Sequence, residues 1–448
     1  MGRENPNFAA YRSAMCSKHV LFQVLIVFFI SCSLRAQLPS EQTLARLPGL
    51  KLEELPPAPG FPERYLLWVR QPLDHGDTAQ GFFWQRVILS LRPSPSPVLF
   101  VTEGYSAEYA LSGSYTYELS DSLPAHQLVV EHRFFAPSAP QRPTLPWEYL
   151  TVAQAAADHH RIIRLLRPLF PAPWVSTGIS KGGQAALFHR SLYPHDVEAT
   201  VGYVCPLNFS TEDRRVYDFL DQVGEQECRE AVRAFQRRLL AGGSRLVAEF
   251  RRQARKQRLT YAMGWDAAYE LLVLEYSFAF WQWGFSCASI PPQDASPGRL
   301  IAHLDSVSSL DWVSRENFGN DPFIYQALTE IGMYGYDTTY LPGLVHHLKS
   351  TTFDFACPEG WTCTFDPRVM QRVQHYLETE AENILLIYGE YDPWSATAVD
   401  CPGNTDVRVY YAPGGSHTVR IPDLAPDDRR EAMRWLRWRM AIPGSSGN

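Results

Sequence analysis

Several features that are common in other protein classes are missing from this chain of 448 residues. It has no CxxC or HExxH spacing, so neither a metal site nor another cofactor is predicted. Its 41 Lys and Arg residues stand against 48 Asp and Glu, which leaves no broad basic surface for nucleic acid. No segment repeats at a fixed period. With 45% hydrophobic and only 20% charged residues, the chain is predicted to fold around a large core.

The N-terminal segment contains a run of apolar residues from Val20 to Ser31, which follows Lys18 and His19. The run has the length of a secretory signal and is too short to span a bilayer, so residues 1–36 are predicted to be a signal peptide cleaved after Ala36. Cys32 in the sequence FISC loosely resembles a lipoprotein processing site, which would leave a lipid anchor. The protein is therefore expected to be exported, as a secreted, periplasmic or lipid-anchored chain. No membrane-spanning segment is predicted after residue 36.

Loss of the signal changes the charge and the cysteine count of the chain. Residues 1–36 contain four basic residues and one acidic residue, so the remaining chain has 37 basic and 47 acidic residues and a net charge of −10. Six cysteines remain, and an even number in an exported protein favours disulfides. Only Cys357 and Cys363 are close enough in sequence to suggest a local bridge.

A series of short apolar and β-branched runs, each ending in Gly, Pro or Asp, predicts the strands. The first two runs, RYLLWVRQ and FFWQRVILSL, are typical of a hairpin. Six further runs are continuously apolar, as in strands buried on both faces of a parallel sheet: SPVLFVTEG, HQLVVEHRFF, PWVSTGIS, EATVGYVCPL, NILLIYGEYD and VRVYYAPGG. Residues 151–170 between them have helical spacing. The fold class is thus α/β, with a mainly parallel sheet.

A long segment without strand-like runs, from about residue 208 to 351, interrupts this pattern. Its sequences alternate charged and apolar residues with a helical period, so the segment is interpreted as an inserted helical cap. The predicted domain organisation is a first sheet-forming part at residues 37–207, a cap at residues 208–350 and a second sheet-forming part at residues 351–448. Ligands bind at the carboxyl edge of such sheets, and the cap would cover that edge.

The sequence Gly178-Ile179-Ser180-Lys181-Gly182 lies between an apolar run and a helical run. This context is that of a nucleophile elbow, in which glycines permit a tight strand-to-helix turn that projects the serine hydroxyl. Ser180 is therefore the candidate nucleophile. A serine that merely caps the helix is the alternative.

The partners of such a serine are expected in the chain order acid, then histidine, each after a strand. Asp392 follows the run ILLIYGEY, and His417 follows VRVYYAPGG. Asp400 is a rival acid, but it lies well beyond the strand end. The oxyanion hole is predicted to use the backbone N–H of Lys181 and a second N–H near Gly104 or Tyr105.

These motifs resemble a peptidase family. The segments YGEYDPWSATAV, GGSHTVRI, VEHRFF, TEGY and RQPLDH are similar to those of the prolyl carboxypeptidase and dipeptidyl peptidase group of serine exopeptidases. Lys181 after the serine is closer to the related secreted tripeptidyl aminopeptidase family. The resemblance covers residues 64–420. It implies an α/β-hydrolase fold with a helical cap that restricts the cleft to peptide ends, and it implies Ser180, Asp392 and His417 as the triad.

An exopeptidase that acts at N-termini needs a carboxylate for the substrate ammonium. Glu275 is the only charged residue between Leu271 and Trp283, and an ion in such a run must find a partner or stay protonated. Pairing with a cap arginine or exposure to water is the alternative for Glu275. Glu103, beside the proposed oxyanion loop, is the second candidate.

The predicted function is that of an exported serine exopeptidase that releases short peptides, principally tripeptides, from free N-termini through an acyl-enzyme. Its partners would be peptides with a free N-terminus. A prolyl-specific exopeptidase or a carboxylesterase on the same fold are the alternatives. A binding protein on an inactive hydrolase fold is disfavoured because no triad member is missing.

Overall fold

A computed structural model describes residues 38–318 and 322–441 of the chain. The predicted signal peptide, its cleavage site and Cys32 lie outside the described residues. The structure contains one nine-stranded sheet. Its strands are β1 (Leu50–Leu55), β2 (Glu63–Pro72), β3 (Phe82–Leu91), β4 (Val98–Thr102), β5 (His126–Val130), β6 (Trp174–Ile179), β7 (Ala199–Tyr203), β8 (Ile384–Gly389) and β9 (Val407–Ala412).

The helices are distributed around and between these strands. They are α1 (Glu41–Ala45), α2 (Glu118–Ser122), α3 (Val152–Leu166), α4 (Lys181–Leu192), α5 (Arg215–Leu220), α6 (Gln226–Ala241), α7 (Gly243–Lys256), α8 (Trp265–Gln282), α9 (Pro297–Ser308), α10 (Arg315–Phe318), α11 (Pro322–Gln326), α12 (Pro367–Thr379) and α13 (Pro426–Arg439). In the described residues no helix is long and apolar enough to cross a membrane.

The strand order is β1-β2-β3-β5-β4-β6-β7-β8-β9. The pairs from β1 to β3 and the pair β3–β5 are antiparallel, and every pair from β5 to β9 is parallel. This arrangement confirms the predicted α/β-hydrolase class, the hairpin of β2 and β3, and the mainly parallel sheet. β1 was absent from the predicted strands because its sequence LKLEEL is half-exposed and lacks a continuous apolar run.

The two faces of the sheet are covered by different helices, as the alternation along β4 illustrates. Val98 and Phe100 belong to the cluster formed with α3, whereas Leu99 and Val101 belong to the cluster formed with α2 and α13. Successive side chains of a strand point to opposite faces, so a strand buried on both sides is apolar throughout. The central strands therefore hold the loops at their carboxyl ends in fixed positions.

The chain between β7 and β8 is a helical insertion that contains α5 to α12 and, in the described residues, no strand. Its centre is α8, which is buried along almost its whole length and packs against α6 and α9. A disulfide between Cys228 and Cys287 ties α6 to the segment after α8. The division of the chain at residues 207/208 and 350/351 stays a prediction.

Two disulfides are present among the described cysteines, which confirms the predicted use of disulfides and the local Cys357–Cys363 bridge. Cys205 and Cys401 are free and buried. Burial raises the pKa of the Cys205 thiol to about 12 and that of Cys401 to about 11. A raised pKa disfavours the thiolate, which is the reactive form of a cysteine.

Candidate active site

Ser180 lies in a sharp turn between β6 and α4. Its backbone has φ 54° and ψ −124°, a conformation that a non-glycine residue adopts only when the surrounding chain imposes it. The close neighbours of the turn must be glycines. A Cβ on Gly178 would lie 2.2 Å from the carbonyl carbon of Gly182, and a Cβ on Gly182 would lie 2.6 Å from the carbonyl oxygen of Thr102. This is the geometry that projects a serine hydroxyl from the sheet edge.

Asp392 and His417 lie beyond the ends of two neighbouring parallel strands, β8 and β9. Asp392 Oδ2 is 2.7 Å from Nδ1 of His417. The carboxylate of Asp392 is completely buried and also accepts a hydrogen bond from the backbone N–H of Trp394 at 3.2 Å. A buried carboxylate on Nδ1 keeps the proton there and leaves Nε2 as the acceptor. The rival acid, Asp400, is exposed.

His417 also contacts the helical insertion. Its backbone N–H donates to the carbonyl oxygen of Gln282 at 2.9 Å, and its ring lies 6.0 Å from the ring of Trp283. The two ends of the candidate triad, Ser180 and His417, line one cavity. No hydrogen bond joins Ser180 Oγ to the His417 ring in the described part of the chain, and such bonds often form only when substrate is bound.

The loop after β4 packs directly against the start of α4. A Cβ on Gly104 would lie 2.5 Å from Cβ of Lys181, so only glycine allows this approach. The ammonium of Lys181 is buried, donates to the carbonyl oxygen of Gly104 at 2.7 Å and lies over the ring of Phe135. Lys181 thereby fixes the two predicted oxyanion segments against each other.

The cavity has a volume of about 680 Å³. The sheet edge supplies one wall and the helical insertion supplies the opposite wall. Among the predicted site residues, the cavity is lined by Glu103, Tyr105, Ser180, Lys181, Glu275 and His417. Asp392 and Gly104 are placed behind this surface. A volume of this size is typical of a site for a small ligand.

Glu275 lies on α8, where residues 275, 279, 282 and 283 share one helical face that borders the cavity. The carboxylate is buried, and its Oε2 accepts hydrogen bonds from Tyr334 at 2.9 Å and from Tyr336 at 2.7 Å. Desolvation raises the pKa of Glu275 to about 7, which the two phenol hydrogen bonds oppose. Within residues 38–318 and 322–441, no arginine forms an ion pair with Glu275, which was the alternative. Sequence reasoning missed both tyrosines, which are 59 and 61 residues away.

Glu103 forms a second carboxylate at the cavity wall. The hydroxyl of Tyr109 donates to it. Desolvation raises the pKa of Glu103 to about 7, against the effect of the Tyr109 hydrogen bond. Carboxyl groups whose pKa is raised by burial in a cleft are candidates for functional roles. No group of three or more potential metal ligands was found in the described residues.

Comparisons with known proteins identify similar chains. A family model described as PS-10 peptidase S37 matches residues 38–446. Prolyl tri/tetrapeptidyl aminopeptidase of Streptomyces mobaraensis is 32% identical over 411 residues, which cover 89% of this chain and 85% of the relative. Lysosomal Pro-X carboxypeptidase of Bos taurus is 25% identical over 155 residues, or 31% of each chain. Among solved structures, proline iminopeptidase of Mycobacterium smegmatis has a TM-score of 0.40 and 15% identity, over 84% of this chain and 99% of that one.

Proposed function

The chain belongs to the PS-10 peptidase S37 family and is a serine peptidase, as its motifs predict, and on this premise we propose that it releases short peptides, principally tripeptides, from free N-termini. The observation that carries this proposal is the composition of one cavity. Ser180 and His417 border it from the sheet edge, and Glu275 borders it from the insertion. A nucleophile and a carboxyl group with no cationic partner among the described residues, both at the wall of one cavity, suit a substrate that ends in an ammonium group.

In the proposed mechanism, Ser180 Oγ attacks the carbonyl carbon of the scissile bond while Nε2 of His417 accepts its proton. Asp392 holds the ring and stabilises the imidazolium that forms. The backbone N–H of Lys181, together with that of Gly104 or Tyr105, donates to the oxyanion. His417 then protonates the leaving amine, and water attacks the acyl-enzyme to release the peptide.

Charge favours action at N-termini rather than at C-termini. The charged residues that line the cavity, apart from His417, are Glu103, Glu275, Asp311 and Lys181. The ammonium of Lys181 is already bound to the carbonyl oxygen of Gly104. Above about pH 7, where Glu103 and Glu275 ionise, three carboxylates outnumber the one ammonium of Lys181, so the cavity attracts a substrate ammonium and repels a substrate carboxylate. The cavity therefore fits an aminopeptidase better than a carboxypeptidase.

A prolyl-specific exopeptidase is the second candidate. The Streptomyces and bovine relatives both carry proline preference in their names. The cavity that contains Ser180 is also lined by the aromatic residues Tyr105, Phe323 and Trp394. Aromatic faces pack well against the flat, apolar pyrrolidine ring. A tripeptide substrate with proline at the cleavage site, compared with one with alanine there, tests this preference through kcat/KM.

The main test uses the purified protein and its Ser180→Ala variant, with Ser122→Ala as a control at an exposed serine. The substrates are a chromogenic tripeptide with a free N-terminus, its acetylated counterpart and a short-chain ester. We expect cleavage of the free peptide, and a fall in kcat of about 10⁶-fold in Ser180→Ala only. Equal cleavage of the acetylated peptide would refute the proposed specificity for free N-termini. Turnover of the ester alone would favour a carboxylesterase.

Export is part of the same proposal. The acidic chain with its two disulfides suits an oxidising compartment. N-terminal sequencing and mass determination of the protein from culture medium and from membranes would distinguish cleavage after Ala36 from lipidation at Cys32. A soluble product that begins at Gln37 supports secretion, and a lipidated product that begins at Cys32 supports anchoring.

A further inference from the structure

Asn208 has an unused hydrogen-bond acceptor at the cavity wall. The residue follows β7, is only 1% exposed and lines the cavity that contains Ser180. Its Nδ2 donates to the carbonyl oxygen of Ile331 at 3.3 Å, whereas its buried Oδ1 has no partner. A buried acceptor without a partner costs free energy, so its retention in a cavity indicates a partner that arrives with a ligand.

One short segment of the insertion, residues 332–336, contacts both Asn208 and Glu275. Gly332 in this segment lies so close to Asn208 that a Cβ there would be 2.6 Å from Cβ of Asn208. Two and four residues further on, Tyr334 and Tyr336 hold Oε2 of Glu275. The same segment thus positions both the amide and the carboxylate.

Glu275 and Asn208 each have one oxygen that is available to accept a hydrogen bond from a ligand. Both tyrosines bind Oε2 of Glu275, and its Oε1 has no hydrogen-bond partner among the described residues. Oδ1 of Asn208 is likewise unused. One charged and one neutral acceptor match a group that has several N–H donors and a single positive charge. A second carboxylate in place of the amide would instead raise the pKa of Glu275 further and favour a shared proton.

We propose that Oδ1 of Asn208 and Oε1 of Glu275 together bind the terminal ammonium of the peptide, so that Asn208 is a determinant of specificity for free N-termini. This inference rests on the proposed aminopeptidase function. A lysine side chain of the substrate also ends in an ammonium group. Separate substrates are therefore needed to distinguish binding of the terminal ammonium from binding of a lysine side chain. A role for Asn208 in binding a backbone N–H of the substrate would act on all peptides alike.

The test measures kcat/KM of the full chain for three chromogenic peptides: free Ala-Ala-Ala, acetyl-Ala-Ala-Ala and acetyl-Lys-Ala-Ala. In Asn208→Ala, we expect the ratio of free to acetylated trialanine to fall about tenfold, with the change mainly in KM. Asn404→Ala is the matched control, because the amide of Asn404 also donates to backbone carbonyl oxygens but lies away from the cavity. The control is expected to keep the ratio of the unaltered protein.

A second variant separates the acceptor of Asn208 from its donor. Asn208→Asp keeps an oxygen at the Oδ1 position and loses the N–H that binds Ile331. We expect it to retain the ratio within about threefold at pH 8, because a proton shared between the two carboxyl groups still leaves one negative charge for the substrate ammonium. If Asn208 acts only through its bond to Ile331, Asn208→Asp and Asn208→Ala will be impaired alike.

Several results would overturn the inference. An unchanged ratio in Asn208→Ala, or an equal loss for the free and acetylated peptides, would refute it while the aminopeptidase function stands. Preferential loss with acetyl-Lys-Ala-Ala would assign the site to a side chain. Failure of the unaltered protein to prefer the free peptide, or cleavage by Ser180→Ala, would refute the proposed function and this inference with it.

Discussion

The sheet edge and the helical insertion contribute to the same cavity in different ways. At the sheet edge, Ser180, Asp392 and His417 each follow a parallel strand directly, and short local motifs determine their positions. In the insertion, Glu275 depends on tyrosines that are about 60 residues away in sequence. The sheet edge thus has groups suited to bond cleavage, and the insertion has groups suited to substrate selection.

The sheet edge and the insertion also differ in how their buried carboxyl groups affect the stability of the folded protein. Asp392 is buried with a hydrogen-bonded partner on the histidine ring. Glu275 is buried with one oxygen unpaired, and its raised pKa shows that the folded protein disfavours the charged form. A group that lowers stability in the free protein but suits a ligand is typical of a binding site. The comparison predicts that substitutions in the two regions change different measured quantities.

The largest expected effect is on catalysis at the sheet edge. Asp392→Asn would remove the acceptor for the Nδ1 proton of His417, and kcat for the free tripeptide is expected to fall about 10⁴-fold. Asp400→Asn, a substitution of the exposed rival acid, is expected to retain kcat. Steady-state kinetics of both variants checks this. A larger loss of kcat in Asp400→Asn than in Asp392→Asn would mean that Asp400, rather than Asp392, is the acid of the triad.

A smaller effect is expected for substrate selection in the insertion. Glu275→Gln would leave the substrate ammonium without its counter-charge, and the kcat/KM ratio of free to acetylated tripeptide is expected to fall about 100-fold. Glu270→Gln is the matched control, because Glu270 is buried on the same helix but binds the backbone N–H groups of residues 346–348 outside the cavity. If Glu103→Gln abolishes the selection and Glu275→Gln does not, the ammonium binds at the oxyanion side instead.

The pH dependence of this selection follows from the raised pKa of Glu275. Its carboxylate forms as the pH rises through about 7, whereas the substrate ammonium loses its proton near pH 8. The ratio of kcat/KM for free and acetylated peptide, in which the triad contributes to both, is therefore expected to peak between about pH 7 and 8. Glu275→Gln should lose the rise on the acidic side. A flat profile of the ratio in the unaltered protein would contradict the assignment.

A separate effect is expected on stability, and its sign differs between two glutamates of α8. Since the pKa of Glu275 is raised from 4.5 to about 7, the folded protein binds this proton more tightly than the unfolded chain. The free energy of unfolding is thus lowered as the pH rises from about 4.5 to 7, by about 3 kcal/mol. Denaturant unfolding at pH 8 should show Glu275→Gln more stable than the unaltered protein. Glu270→Gln should be less stable, because it weakens three hydrogen bonds.

One result of the unfolding measurements would contradict the role of Glu275 as a binding group. A loss of stability in Glu275→Gln at pH 8 would mean that the two tyrosine hydrogen bonds to the carboxylate outweigh its desolvation. Glu275 would then be a structural group rather than a binding group. Comparison at pH 4.5, where the side chain is protonated, provides the internal reference.

The same contrast explains what the sequence could predict. Eight strands and the fold class follow from short apolar and β-branched runs, and the positions of Ser180, Asp392 and His417 follow from strand ends, because these signals are local. β1 was missed because an edge strand alternates between polar and apolar residues. The environments of Glu275 and Asn208 depend on the segment 332–336, which has no regular secondary structure and whose contacts across the insertion leave no periodic pattern. Burial of a polar group can be predicted locally, but its partners cannot.

The separation of bond cleavage from substrate selection is tested most directly by one pair of variants. For Asp392→Asn and Glu275→Gln, the kcat/KM values of free and acetylated tripeptide are measured side by side at pH 7.5. We predict that Asp392→Asn loses activity on both substrates and keeps their ratio, whereas Glu275→Gln loses the ratio. A preserved ratio in Glu275→Gln, or a ratio abolished in Asp392→Asn, would contradict the assignment of the two tasks to the two regions.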